Sequence, residues 1–94
     1  KFELSQNYPN PFNPVTNLEY GIAKLGFVSL KIYDVLGREL VTLVNEIKDP
    51  GYYKIKFYAG NLSSGVYFYR LVVSSPNPMT ADEFVAVKKF VVMK

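Results

Sequence analysis

Apolar and polar residues alternate along most of the chain with a period of two. The alternation is plainest in three runs, where apolar side chains occupy every second position: residues 18–22, 28–32 and 53–57. Such a pattern is typical of strands that bury one face and expose the other. Since no window shows a persuasive helical period, the sequence predicts an all-β protein.

Four further runs, at residues 2–4, 38–44, 66–73 and 84–93, complete the set of predicted strands. The run at 66–73 is apolar almost throughout, as expected for a central strand. The pattern assigns no inner face to residues 38–44, because apolar side chains occupy both phases. In the last run the alternation places four residues inward, with Lys88 interrupting their phase: Phe84, Ala86, Phe90 and Val92.

Turn signals separate these runs. Asp34 and Gly37 occupy the first and last positions of "DVLG", the usual preference of a type I turn. The stretch "LSSGVY" contains Gly65 and ends at Tyr67. In immunoglobulin-like sandwiches, a tyrosine at the start of the sixth strand bonds back to the preceding turn and is called the tyrosine corner. A simple buried core tyrosine is the alternative, but the strand count favours the corner. The sequence predicts a seven-stranded immunoglobulin-like antiparallel β-sandwich.

Composition restricts the function. The length predicts one domain, residues 1–94. The chain contains no cysteine, so it forms no disulfide. It also contains no histidine, which is the commonest general base and metal ligand. The net charge of +3 is spread along the chain, so no nucleic-acid partner is indicated. No apolar run approaches the length of a transmembrane segment. The start at Lys1, without an initiator methionine or a signal-peptide pattern, suggests a fragment of something longer.

Catalytic chemistry is not indicated either. No carboxylate pair, nucleophile elbow, glycine-rich nucleotide loop or calcium loop stands out, so we assign no catalytic, cofactor-binding or metal-binding residue. Three tyrosines fall on strand faces that should be exposed: Tyr33, Tyr52 and Tyr58. We therefore interpret the chain as a binding or structural module and not as an enzyme.

Residues 8–14, "YPNPFNP", contain three of the six prolines. Since proline fixes φ and donates no backbone hydrogen bond, the run is neither helix nor central strand. We expect a stiff crossover between the first two strands, with Tyr8 and Phe12 packed over one end of the sandwich and the asparagines bonded to local backbone. The functional alternative is a rigid docking surface formed by these two aromatic residues with Pro9, Asn10 and Pro11.

Three stretches in order carry a resemblance: "FELSQNYPNPFNPVTNLEY" (2–20), "KIYDVLGRELVTLVNE" (31–46) and "NLSSGVYFYRL" (61–71). A lysine-rich terminal strand, "VKKFVVMK" (87–94), follows them. Together they strongly resemble the type A C-terminal sorting domain of the type IX secretion system of Bacteroidota and related phyla. The resemblance covers essentially the whole chain, and its one departure is the loop at 74–83, which is longer than usual.

The resemblance implies a cleaved address label at the end of a secreted protein. The expected partners are the translocon and shuttle proteins of the type IX system, a sortase that removes the domain, and the upstream cargo domain of the same chain. The cargo would pass through the periplasm to the outer-membrane surface or the extracellular space. The resemblance also implies that the machinery reads the terminal strand with Lys88, Lys89 and Lys94, since a sheet edge can accept another strand. Lysines that merely discourage edge aggregation are the simpler explanation.

Two other functions remain open from the sequence. An accessory immunoglobulin-like module would stay attached to a secreted enzyme, as a spacer or as a weak carbohydrate- or protein-binding unit. An oligonucleotide-binding barrel would use Lys54, Lys56 and Tyr58, but seven strands disfavour it. Whatever its function, exposed sheet edges would allow the domain to dimerise.

Overall fold

A computed structural model of the chain describes residues 1–77, 79 and 82–94. Its strands are β1 (Glu3–Leu4), β2 (Val15–Ile22), β3 (Gly26–Tyr33), β4 (Glu39–Lys48), β5 (Gly51–Tyr58), β6 (Gly65–Ser74) and β7 (Glu83–Val92). They form a three-stranded sheet in the order β1-β2-β5 and a four-stranded sheet in the order β4-β3-β6-β7. Every pair of neighbours is antiparallel. The predicted seven-stranded immunoglobulin-like sandwich is confirmed.

The core lies between the sheets and is built from the predicted inner phases. In β2 and β3 the apolar members of the alternation are all buried, and in β5 Phe57 is buried while Tyr53 and Ile55 pack partly buried against the core. β6 is a central strand as predicted, because it pairs with β3 on one side and with β7 on the other. Period-two alternation was therefore a reliable guide wherever the strands pair without irregularity.

β4 extends to Lys48, four residues beyond the predicted end, and carries two irregularities that explain its mixed pattern. Pairing with β3 skips Leu40 and Leu43, each an extra residue between two paired positions. An extra residue of this kind changes the phase of the strand. Val41 and Val44 therefore both contact the core although they lie three positions apart, the first half-buried and the second buried.

β7 pairs with β6 along its whole length, from Val92 opposite Gly65 to Glu83 opposite Ser74. The loop between them is one residue shorter at each end than the predicted 74–83, because Ser74 and Glu83 pair as the last residues of the two strands. Residues 78, 80 and 81 lie outside the described part of the chain. The predicted inner phase of β7 is confirmed, with Phe90 and Val92 buried. Lys88 is half-buried in the same phase. An inward charge on an edge strand hinders pairing with other chains.

Candidate recognition surface at one end of the sandwich

Three of the sequence motifs and the C-terminal strand meet at one end of the sandwich, which we call the motif end. It consists of residues 8–14, the turn at 34–37, residues 59–65 and residues 91–94. The strand directions bring these segments together, because β2, β4 and β6 begin at this end while β3, β5 and β7 finish there. The motif end is therefore one surface assembled from segments that are distant in the sequence.

Phe12 closes the core at the motif end. Its side chain is 3% exposed, and its ring centroid lies 5.4 Å from that of Phe90 and 6.5 Å from that of Phe57. Tyr67 stacks on Phe90 at 5.6 Å. Because Phe57 belongs to one sheet and Phe90 to the other, Phe12 joins residues 8–14 to both sheets. The predicted packing of Phe12 is confirmed.

The backbone around Phe12 also covers part of the open edge of β7. The Phe12 amide donates to the Val91 carbonyl at 3.2 Å, and the Met93 amide donates to the Phe12 carbonyl at 3.0 Å. These bonds make a short parallel bridge between Phe12 and Val92. A free strand edge is otherwise a template for unwanted pairing, so the crossover protects this end of β7.

Two side chains continue the cover along the same edge. The side-chain oxygen of Asn10 accepts a hydrogen bond from the Val91 amide at 2.9 Å, and Nε2 of Gln6 donates to the Lys89 carbonyl at 2.7 Å. The expectation that the asparagines of this run bond local backbone is wrong for Asn10. Its partner is the Val91 amide of β7. β7 is the edge of its sheet, and no described strand pairs with this amide.

Two buried polar residues that the sequence analysis did not single out hold Pro9 in place. The Thr16 hydroxyl donates to the Pro9 carbonyl at 2.7 Å, and Nδ2 of Asn7 lies 3.1 Å from that carbonyl and 3.0 Å from the hydroxyl. Thr16 is 0% exposed and Asn7 is 2% exposed. Thr16 shares the phase of Leu18, so the alternation of β2 would have placed it inside. The sequence carries no comparable signal for Asn7.

Tyr8 does not pack over the sandwich, so that expectation is wrong. Its side chain is 77% exposed. Tyr8 and Asn17 exchange two backbone hydrogen bonds of 3.1 and 2.9 Å, and residues paired in this way project from the same face of a sheet. Since Asn17 lies in the outward phase of β2, Tyr8 also points outward. Pro9, Asn10 and Pro11 are exposed beside it.

The turn at 34–37 forms as predicted, with the Gly37 amide donating to the Asp34 carbonyl at 3.0 Å and a positive φ of 82° at Gly37. Oδ1 of Asp34 accepts the amides of Leu36 and Arg38, and Oδ2 accepts Nε of Arg38 at 2.7 Å. The hydrogen bonds from Arg38 and Leu36 lower the pKa of the Asp34 carboxyl. The turn holds Val35 and Leu36 in solvent, 63% and 73% exposed.

The predicted tyrosine corner is also confirmed. Tyr67 lies two residues after Gly65, the first residue of β6. Its hydroxyl donates to the Ser63 carbonyl at 2.7 Å. A groove of about 400 Å³ separates this corner from the turn at 34–37. Its lining includes four exposed apolar side chains: Val35, Leu36, Leu40 and Val66. The motif end therefore presents apolar contact area held by two rigid turns.

The three lysines proposed as recognition residues lie in different places. Lys94 belongs to the motif end, because its amide donates to Oγ of Ser64 at 3.0 Å and its Nζ donates to the Gly60 carbonyl at 2.8 Å. Lys89 is exposed further back on β7, and Lys88 points inward. The structure thus brings Lys94 to the same end as Tyr8 and Phe12 and separates Lys88 from that surface.

Within residues 1–77, 79 and 82–94, no three His, Cys, Asp or Glu side chains are grouped as metal ligands. A search of these residues also finds no helix of the length and apolarity needed to cross a membrane. The groups that the motif end does offer are exposed apolar side chains, backbone hydrogen bonds and a few positive charges. Such a surface is suited to binding a partner.

The fold and the motif end define an immunoglobulin-like sandwich in which a proline-rich crossover covers part of the last strand. The family model of the secretion system C-terminal sorting domain matches residues 6–93. The chain belongs to this family, the C-terminal sorting signals of the type IX secretion system. Membership implies a cargo in the same chain, interaction with the type IX machinery and export toward the outer membrane and cell surface. Among curated proteins, no significant match is found.

Proposed function

We propose that the type IX translocon recognises this domain through its motif end, and that a sortase then removes the domain as the cargo is anchored at the cell surface. One observation carries the proposal: the crossover at residues 8–14 is hydrogen-bonded to the end of β7. Residues 8–14 and the terminal strand, two separate recognition elements in the sequence, are therefore one surface. That surface exists only in the folded domain, so its recognition would select folded sorting signals.

The chemistry of the motif end suits protein recognition. Val35, Leu36 and Met93 are each more than half exposed, and exposed apolar side chains on a rigid turn bury area on binding at a small entropic cost. Arg38 lines the groove with Val35 and Leu36, although its Nε is paired with Asp34, and Lys94 follows Met93. A partner with an apolar patch rimmed by acidic groups would complement this surface.

Strand addition remains a second mode of contact within the same function. The crossover already covers β7 from Lys89 to Met93, whereas no described strand pairs with the outer edge at residues 83–87. Val85 and Val87 are exposed there. A partner strand would therefore add at residues 83–87, or it would have to displace the crossover.

Export of matched variants tests the proposal. Val35→Asn/Leu36→Asn alters two exposed residues of the motif end, and Leu25→Asn/Ile47→Asn alters two exposed residues toward the opposite end. Burying one leucine is worth about 1.5–3 kcal/mol, so the first variant should lose roughly tenfold or more in translocon binding and accumulate its cargo in the periplasm. The second should be exported normally.

Both variants should unfold at the wild-type temperature. Equal export of the two folded variants would exclude the motif end as the recognition surface.

A further inference from the structure

The outward face of β5 carries a row of side chains that contributes nothing to the core. Alternate residues of one strand project from the same face, and the four residues in this phase, Tyr52, Lys54, Lys56 and Tyr58, are all exposed. The two tyrosines are 74% and 66% exposed. They lie about 20 Å apart along the strand. We call this row the β5 platform.

Both tyrosine rings rest on glycines. A Cβ added to Gly21 would lie 2.6 Å from Cε1 and 2.8 Å from Cδ1 of Tyr52, so the ring occupies the space that a side chain would need. The ring of Tyr58 lies against Gly60 in the same way. Each ring is thereby supported from below by backbone while most of its surface stays open. Rings held like this are ready to stack on a ligand without further ordering.

The neighbouring strand extends the platform sideways. Lys56 pairs with Asn17, and Asn17 pairs with Tyr8, so these three residues form one row across the sheet. Two strand spacings separate Tyr8 from Lys56, about 10 Å. Next to Tyr58, Nζ of Lys94 bonds the Gly60 carbonyl. The surface therefore combines three exposed tyrosines with positive charge at the end nearest the crossover.

Edge protection alone does not account for this arrangement. β5 is the edge of its sheet, and lysines on an edge strand discourage pairing with other chains. That explains Lys54 and Lys56. It does not explain why large apolar rings are left in solvent at both ends of the row and supported by glycines, since exposed tyrosines there make association easier.

We propose that the β5 platform binds a linear acidic polysaccharide, with sugar rings stacked on the tyrosines and carboxylates paired with Lys54 and Lys56. The ligand must present flat faces and negative charges along an extended chain. Single-stranded nucleic acid shares these features, so the titration below includes it as a competing ligand. Export toward the cell surface, which the family implies, brings the domain to glycans. The inference does not depend on which end the translocon recognises.

The test is calorimetric titration of the 94-residue chain with polygalacturonate, alginate and hyaluronan at low and high salt. We expect saturable binding to at least one of the three that weakens with salt. Tyr52→Ala/Tyr58→Ala should lower the affinity roughly tenfold or more, and Lys54→Gln/Lys56→Gln should weaken binding and reduce its salt dependence. Tyr33→Ala and Lys24→Gln, which alter the same residue types outside the platform, should bind like the wild type.

A second variant and two further ligands complete the test. Gly21→Ala keeps all four platform side chains but displaces the ring of Tyr52, so it should weaken binding without unfolding the domain. Fully methyl-esterified polygalacturonate should bind less tightly than the acid form. The proposal is overturned if none of the three acidic polymers binds, if the platform and control variants bind alike, or if oligothymidylate binds more tightly than every acidic polysaccharide. The same variants should be exported normally, which separates this inference from the proposed function.

Discussion

At the scale of single residues, the hydroxyl of Tyr67 is expected to stabilise the fold. It donates to the Ser63 carbonyl at 2.7 Å from a largely buried ring, and such a bond contributes about 0.5–1.5 kcal/mol to the free energy of unfolding. Tyr67→Phe should therefore lower the melting temperature by about 4–8 °C per kcal/mol lost. Tyr52→Phe, in which an exposed hydroxyl is removed, is the matched control. Thermal unfolding measures both, and equal melting temperatures for the two variants would show that the corner bond contributes nothing.

The charge of Asp34 should make the turn at 34–37 sensitive to acid. Hydrogen bonds from Arg38 and Leu36 lower the pKa of this carboxyl in the folded state, below the value of about 3.9 in an unfolded chain. Its contribution to stability is then fully present above the unfolded pKa and is lost as pH falls through the folded pKa.

The variant Asp34→Asn isolates this effect, because its amide oxygen can still accept the amides of Leu36 and Arg38. Denaturant unfolding should show the variant less stable than the wild type at pH 7. The difference should shrink as the pH falls below about 4. A stability difference that stays constant over this range would mean that the charge of Asp34 plays no part.

Residues whose partners are close in sequence were the ones that the sequence predicted well. Asp34 bonds Arg38, and Tyr67 bonds Ser63, four positions away in each case, so a local motif contains both partners. Asn10 bonds Val91, at the other end of the chain. No pattern within residues 8–14 reveals that partner. The burial of Asn7 and the exposure of Tyr8 follow from nearer partners on β2, Thr16 and Asn17, which this run also does not contain.

At the scale of strands, the crossover should protect the edge of β7 from exchange with solvent. The Val91 amide has the side-chain oxygen of Asn10 as its acceptor at 2.9 Å. Asn10→Ala removes the acceptor, so hydrogen exchange at Val91 should accelerate several-fold while the amide of Leu71, in central β6, keeps its protection.

The matched control for this exchange experiment is Asn13→Ala, because Asn13 is also an exposed asparagine of the crossover. It should leave the exchange of Val91 unchanged. If Asn10→Ala also leaves Val91 as protected as in the wild type, the hydrogen bond to Asn10 is not what covers the edge.

Strands show the same division between local and distant causes. The pattern predicted the inner phases of β2, β3, β5 and β7 because those strands pair without an extra residue over the alternating stretch. In β4 the unpaired Leu43 shifts the phase, and since this shift depends on pairing with β3, the sequence of β4 alone could not fix its inner face.

At the scale of the whole molecule, the two surfaces differ in how many segments of the chain build them. The motif end is assembled from segments that meet only when the sandwich is complete, with Phe12 contacting both sheets. The β5 platform lies mainly on one strand and its neighbour. The sequence pointed to the residues of the motif end, but their union with the last strand is visible only in the structure.

The domain belongs to a family of export signals, and we propose that it is removed at the cell surface. The most direct measurement joins a fluorescent reporter to the N-terminal side of residues 1–94 in a host with a type IX system, and maps the C-terminus of the reporter by mass spectrometry in the periplasmic and surface pools. We predict that the periplasmic form carries the domain through Lys94 and that the surface form lacks it. A reporter that never leaves the periplasm, or one that reaches the surface with Lys94 still attached, would contradict this proposal.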